Sequence, residues 1–203
     1  MLDLGVGGGR TTLHFAPLVK EYVGVDYSEP MIKLCRERFP QYVFKAVDAR
    51  NMALFHRAKF DFILFSHNGL DYVPHADRRS IMMEISRVLK PHGIFAFSTH
   101  NIKSVANLYS SSPTLKSLLK KILFQVINRF PINVENRTYA VLNDGSCQFK
   151  LRTHYVNIQS QLKDLESMGF RDVQLLSGST GELILPKDID NNRGPWIYFL
   201  CTR

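Results

Sequence analysis

The chain has 203 residues, 45% hydrophobic and 22% charged, which fits one globular domain over residues 1–203 and excludes a disordered chain. Its net charge of +8 is unevenly placed: residues 101–152 hold eight Lys/Arg against two Asp/Glu, so this stretch carries +6 and the remainder +2. No apolar run approaches the roughly 20 residues of a bilayer span. The N-terminal MLDLGVGGGR lacks the basic and apolar regions of a secretory signal, and the three scattered cysteines (Cys35, Cys147, Cys201) have neither disulfide-framework nor zinc spacing; a reducing, cytoplasmic setting is expected.

In chain order, LDLG is a short apolar segment ended by glycines, and RTTLHFAPLVK follows with helical spacing. EYVGVD is strand-like, and SEPMIKLCRERF then opens a helix with Ser28 at the N-cap and Pro30 in the first turn. YVFKAV is the third strand and FDFILFS, a continuous apolar run, the fourth. ADRRSIMMEISRVLK is a helix with Ile81, Ile85, Val88 and Leu89 on one side; PHG ends it, and IFAFST is the fifth strand. This alternation predicts an α/β fold, a mostly parallel sheet with helices on both faces.

Residues 101–156 break the alternation and form an insertion. LKSLLKKILFQVI has apolar residues at 115, 118, 119, 122, 123, 126 and 127, with Lys116, Lys120 and Lys121 off the stripe. Such a cationic amphipathic helix either lies on a membrane surface, here through 115–130, or packs its stripe on the domain; the second is expected. TYAVL and CQFKLRT flank NDGS and predict a hairpin. IQSQLKDLESMGF is a helix closed by Gly169, and RDVQLLS and PWIYFLC are the last two strands.

The glycine loop after the first strand lets backbone approach a ligand at the carboxyl end of the sheet. It is not a dinucleotide fingerprint: the third glycine would fall at Arg10 or Thr12. Nor is it a P-loop, since no GK[ST] follows, so a nicotinamide oxidoreductase is disfavoured. Asp26, closing the second strand 21 residues after Gly5, is placed to accept both ribose hydroxyls of an adenosine ligand. Asp48, closing the third, either accepts an adenine amino group or is a plain loop aspartate, and taken alone the second is the better reading.

LDLGVGGGR, VGVDYSEPMI, AVDARNM, FDFILFSHNGLDYV, ISRVLKPHGIFAFSTHN and LESMGFRDV occur in an order and spacing that resembles the class I S-adenosylmethionine-dependent methyltransferases, over residues 1–100 and 155–203. The resemblance implies a seven-stranded sheet in the order 3-2-1-4-5-7-6, strand 7 antiparallel, and S-adenosylmethionine across strands 1 to 4. Gly5, Gly7 and Gly9 would form the turn, with Asp3 near the methionine end. Asp26 would hold the ribose, Tyr27 and Met31 would flank the adenine, Asp48 and Ala49 would read its edge, and Ser66 would lie beside the methionine moiety. Relatives usually carry helices before strand 1; this chain starts at the strand, so that cover is expected to be missing from it.

Methyl transfer from a sulfonium needs alignment and water exclusion, and a base only where the nucleophile starts protonated. On the substrate side, His67 is the first choice for a base or a substrate contact, with Asn68, Asp71, His100 and Asn101 around it and His154 and Tyr155 from the hairpin. His14, His56, His75 and His92 are read as surface residues remote from the strand ends. No histidine spacing suits a metal, and none is expected. Arg137, Lys150 and Arg152 beside the hairpin point to a small anionic substrate. RNA or protein methylation, or a cofactor-binding module without turnover, are the alternatives; no aromatic stacking strip or long basic tail favours RNA.

Overall fold

The computed structural model describes residues 1–108, 114–129, 133–145 and 148–203; Ser146 and Cys147 of the expected hairpin, and the side chain of Lys116, lie outside the described residues. The sheet comprises β1 (Leu2–Leu4), β2 (Val23–Asp26), β3 (Val43–Ala46), β4 (Phe60–Phe65), β5 (Leu89–Asn101), β6 (Tyr139–Leu142), β7 (Thr153–Val156), β8 (Arg171–Ser177) and β9 (Trp196–Thr202). The helices are α1 (Thr12–Phe15), α2 (Glu29–Arg38), α3 (His75–Val88), α4 (Leu115–Ile127) and α5 (Ile158–Ser167). β3, β2, β1, β4 and β5 are parallel neighbours in that order; β9 then pairs antiparallel with β5, and β8 with β9. With β9 and β8 as family strands 7 and 6, this is the expected order.

Alternation along the strands sorts side chains to the two faces. Leu2, Leu4, Ile63, Phe65, Phe95 and Phe97 join a core shared with α3 and α5, through residues such as Ile81, Ile85 and Leu165. Leu64 and Ala96 face the other way, into a core with Ile32 and Cys35 of α2 and with Phe39 and Phe44. The first helix is shorter than its periodicity suggests: α1 ends at Phe15, and Pro17, which cannot donate a backbone bond, turns the chain into a 3-10 segment Ala16–Leu18. Ser28 does occupy the N-cap of α2, but its side chain makes no capping bond; its amide donates instead to Asp26. The PHG sequence forms a bulge within β5, where Leu89 and Ile94 pair with Phe60 and Phe62 and His92 takes a φ of 62°.

The insertion joins the sheet at its centre. β5 outlasts β4, whose last partner on it is Phe97, and β7 pairs parallel with the overhang through His100↔Tyr155 and Asn101↔Val156. β6 pairs antiparallel with β7. The second hairpin strand is therefore Thr153–Val156 and not CQFKLRT, of which Gln148–Lys150 is a turn. The expectation that α4 packs its stripe on the domain is also corrected. Phe124 enters a small core with Ile102, Val134 and Leu142, while Leu115, Leu118, Leu119, Ile122, Leu123, Val126 and Ile127 are exposed.

Candidate active site

At the carboxyl end of β1, Asp3 is fully buried; its Oδ2 accepts hydrogen bonds from Thr11 Oγ1 and, at 2.6 Å, from Tyr22 Oη. Its Oδ1 is buried without a partner. Burial pushes this carboxyl above the usual carboxylate range, against the two hydroxyl donors. The adjacent loop places Gly5, Gly7 and Gly9 at positive φ. A Cβ at Gly5 or Gly9 would strike Phe65 or Phe39, whereas at Gly7 it would meet open space, so this turn is both left-handed and bare toward solvent.

Asp26 links that loop to α2: Oδ2 accepts from Gly7 N and Oδ1 from Ser28 N, each at 2.9 Å. Beside it Tyr27 is 85% exposed, and Met31 on the first turn of α2 is also exposed. Asp48 is exposed and engaged by Arg50, which donates through its backbone amide, Nε and Nη2 and reaches Asp77 with Nη1. These bonds hold the Asp48 carboxyl below its ordinary range. Ala49 is half-buried next to it. The donor set fits the S-adenosylmethionine that the resemblance implies: Asp3 keeps a buried acceptor without a donor, Asp26 sets a carboxylate beside the glycine turn, and Tyr27 adds an uncovered aromatic ring.

After β4, Ser66 leads into His67 and Asn68, two consecutive non-glycine residues with φ of 53° and 55°. Such strain persists only where surrounding bonds over-determine it: Asn68 N donates to Ser98 Oγ at 2.8 Å, and Gly69 N to Ser66 O at 3.1 Å. His67 Nδ1 lies 3.4 Å from Arg10 Nη1. A guanidinium only donates, so the ring proton is assigned to Nε2, and burial followed by the Arg10 charge holds this imidazole below its ordinary pKa. His67 thus presents a donor; its basic nitrogen faces a cation.

A second histidine is better arranged to take a proton. Asp71, whose side chain is fully buried, accepts from Thr99 Oγ1, His100 N (2.7 Å), His100 Nδ1 (2.8 Å) and Arg78 Nη1 (3.0 Å). With Nδ1–H fixed on Asp71, the lone pair of His100 sits on Nε2, 3.3 Å from Asn68 Nδ2. Asn101, by contrast, spends its amide on Asn192 O and its carbonyl on Lys103 N, which caps a 3-10 turn.

Residues 1–93 match the family model described as a methyltransferase domain. The uncharacterized methyltransferase YcgJ of Bacillus subtilis is 29% identical over 107 residues, 49% of this chain and 40% of that protein. The ubiquinone biosynthesis O-methyltransferase of Thiobacillus denitrificans is 31% identical over 105 residues, 50% of this chain and 44% of that protein. The chain thus spans less than half the length of these curated relatives. An S-adenosylmethionine-dependent methyltransferase from Mesorhizobium loti superimposes with a TM-score of 0.67 over 100% of this chain and 89% of its own, at 17% identity, a likeness of fold.

The molecule also has a cleft of about 450 Å³ between α3, α5 and the hairpin, lined in part by His75, Arg78, Tyr139, His154 and Gln161. His154 is buried, its Nε2 is 2.9 Å from His75 Nδ1, and its Nδ1 has no partner. Burial, the Arg78 charge and His75 press its pKa down to about 3. His75 stacks on Tyr139 at 3.6 Å. It is exposed, as expected, but the expectation of remoteness fails, because β7 brings His154 to it. Tyr155 donates to Asp144 and tilts against His100, while Arg137 and Arg152 are exposed on the segments flanking the hairpin. Arg78 was not foreseen. It occurs as one arginine of the RR pair in α3, and only its place on the same face as Ile81 and Met82 hints that it turns inward.

Proposed function

We propose that the chain transfers a methyl group from S-adenosylmethionine to a small anionic acceptor, and that the accepting atom is an oxygen. The buried, unpartnered Oδ1 of Asp3 beside the bare glycine turn carries the cofactor reading. When bound, S-adenosylmethionine supplies a methyl already activated on a sulfonium. Asp3 would take its ammonium, Asp26 its ribose hydroxyls, and Tyr27 and Met31 would flank the adenine, with Ala49 at its edge. An adenine amino group would have to share Asp48 with Arg50. Ser66 and the strained His67–Asn68 turn close the methionine end.

For the acceptor, Asp71 fixes the tautomer of His100, whose Nε2 takes the hydroxyl proton as the oxygen attacks. His67 Nε2–H and Arg10 offer positive character to an anionic group on the acceptor, and Arg137 and Arg152 add to the field from the hairpin side. The name of the Thiobacillus relative, an O-methyltransferase, supports an oxygen acceptor. Calorimetric titration with S-adenosylhomocysteine tests the cofactor half. Micromolar binding is expected, about a hundredfold weaker for Asp26→Ala because two hydrogen bonds to a charged group are lost. Binding of NAD in the control, or no effect of Asp26→Ala, would overturn the reading.

A further inference from the structure

We propose that α4 is a docking helix that lies flat on an anionic lipid surface. At about 100° per residue, Leu115, Leu119, Ile122 and Val126 share one side of the helix, and Phe124 lies about opposite. Phe124 is 5% exposed and faces the body of the molecule, whereas Leu115 and Val126 are 74% and 67% exposed. Leu118 and Leu123 widen the exposed arc on its two sides. The apolar face of this helix is therefore turned outward, the reverse of a helix that packs on its own domain.

The charges around the arc name the occupant. Lys120 and Lys121 flank it on opposite sides, both exposed, and Arg129 follows just past the helix end. Residues 101–134 contain no Asp or Glu. A helix with an apolar face bordered by cations, and no anion to repel lipid phosphates, sinks its apolar side chains to the acyl boundary while the lysines reach back to the headgroups. Pairing with a second copy through the same face would set like charges together with no acid in the helix to relieve them. No helix among the described residues is long and apolar enough to cross a membrane, so the contact is surface-parallel. The helix is fastened for this use: Asn128 Nδ2 donates to Asn143 O at 2.9 Å and Asn143 N to Asn128 Oδ1 at 2.8 Å, tying the end of α4 to the end of β6.

Flotation with vesicles of mixed phosphatidylglycerol and phosphatidylcholine, beside vesicles of phosphatidylcholine alone, tests this. The chain should float with the anionic vesicles only. Lys120→Glu with Lys121→Glu should weaken binding about tenfold or more. The triple variant Leu119→Ser, Ile122→Ser, Val126→Ser should weaken it about a hundredfold with an unchanged circular dichroism spectrum. Failure to float, or flotation of the triple variant like the parent, would overturn the proposal. Equal binding to neutral vesicles would overturn the anionic assignment. A dimer in light scattering, dispersed by the triple variant and indifferent to vesicles, would assign the face to a second copy instead.

Discussion

Helices α3 and α4 carry the same spacing of apolar residues and meet opposite fates. α3 lies under β4 and β5 and buries Ile81, Ile85 and Val88, while α4 buries Phe124 and turns the rest outward. The repeat defines a face in both cases. Only the sheet supplies something for that face to cover, and α4 belongs to a segment whose own core is a handful of side chains around Tyr155. The same contrast holds for polar groups. At the end of β1 an aspartate is held in a dry socket by two hydroxyls, whereas the hairpin region presents its arginines to water.

The widest effect expected is on turnover. His100→Gln should lower kcat about a thousandfold while S-adenosylhomocysteine binding and Tm stay put; an equal loss of cofactor affinity would merge the acceptor side with the cofactor side. Next comes packing. Ile85→Ala should cost about 2–5 kcal/mol of unfolding free energy in denaturant titrations. Leu119→Ala should stay within about 0.5 kcal/mol, and a comparable cost at both positions would erase the distinction between the two helices.

The hairpin histidine gives a pH signature. Unfolded, His154 takes up a proton near 6.5; buried, near 3, so in that window the unfolded chain binds more protons and stability falls as the pH drops. His75, also held low, acts in the same direction. The fall should be about 2 kcal/mol between pH 8 and pH 5, roughly 4–8 °C in Tm, and His154→Gln should flatten it. The smallest effect is at Asp3, whose raised pKa means that its ionised form burdens the fold at neutral pH. Asp3→Asn should therefore keep or raise Tm while weakening S-adenosylhomocysteine by about tenfold; a drop in both would make Asp3 structural only.

What could be read from the residues was local. A short apolar run such as FDFILF, bounded by polar residues, reads as a buried strand from its own residues, and glycines or aspartates at strand ends announce themselves by position. The hairpin was misregistered because Thr153–Val156 is defined by its pairing to the overhang of β5, some fifty residues away in sequence. The direction of α4 was invisible for a related reason: periodicity identifies a stripe but not its neighbour. His75 and Arg78 joined the site through tertiary contacts alone, the first to His154 and the second to Asp71.

The overhang of β5 has one more consequence. The insertion leaves the sheet at Asn101 and returns beside the same residue, where Val156 pairs with it. Its two ends are thus stitched to neighbouring positions, and everything between them is a closed excursion. Doubling the length of such an excursion adds only about 0.6 kcal/mol of closure entropy. The segment behaves as an exchangeable cassette: α4 and the chain up to β7 can be lengthened, trimmed or replaced while His100 keeps its register with both Trp196 and Tyr155.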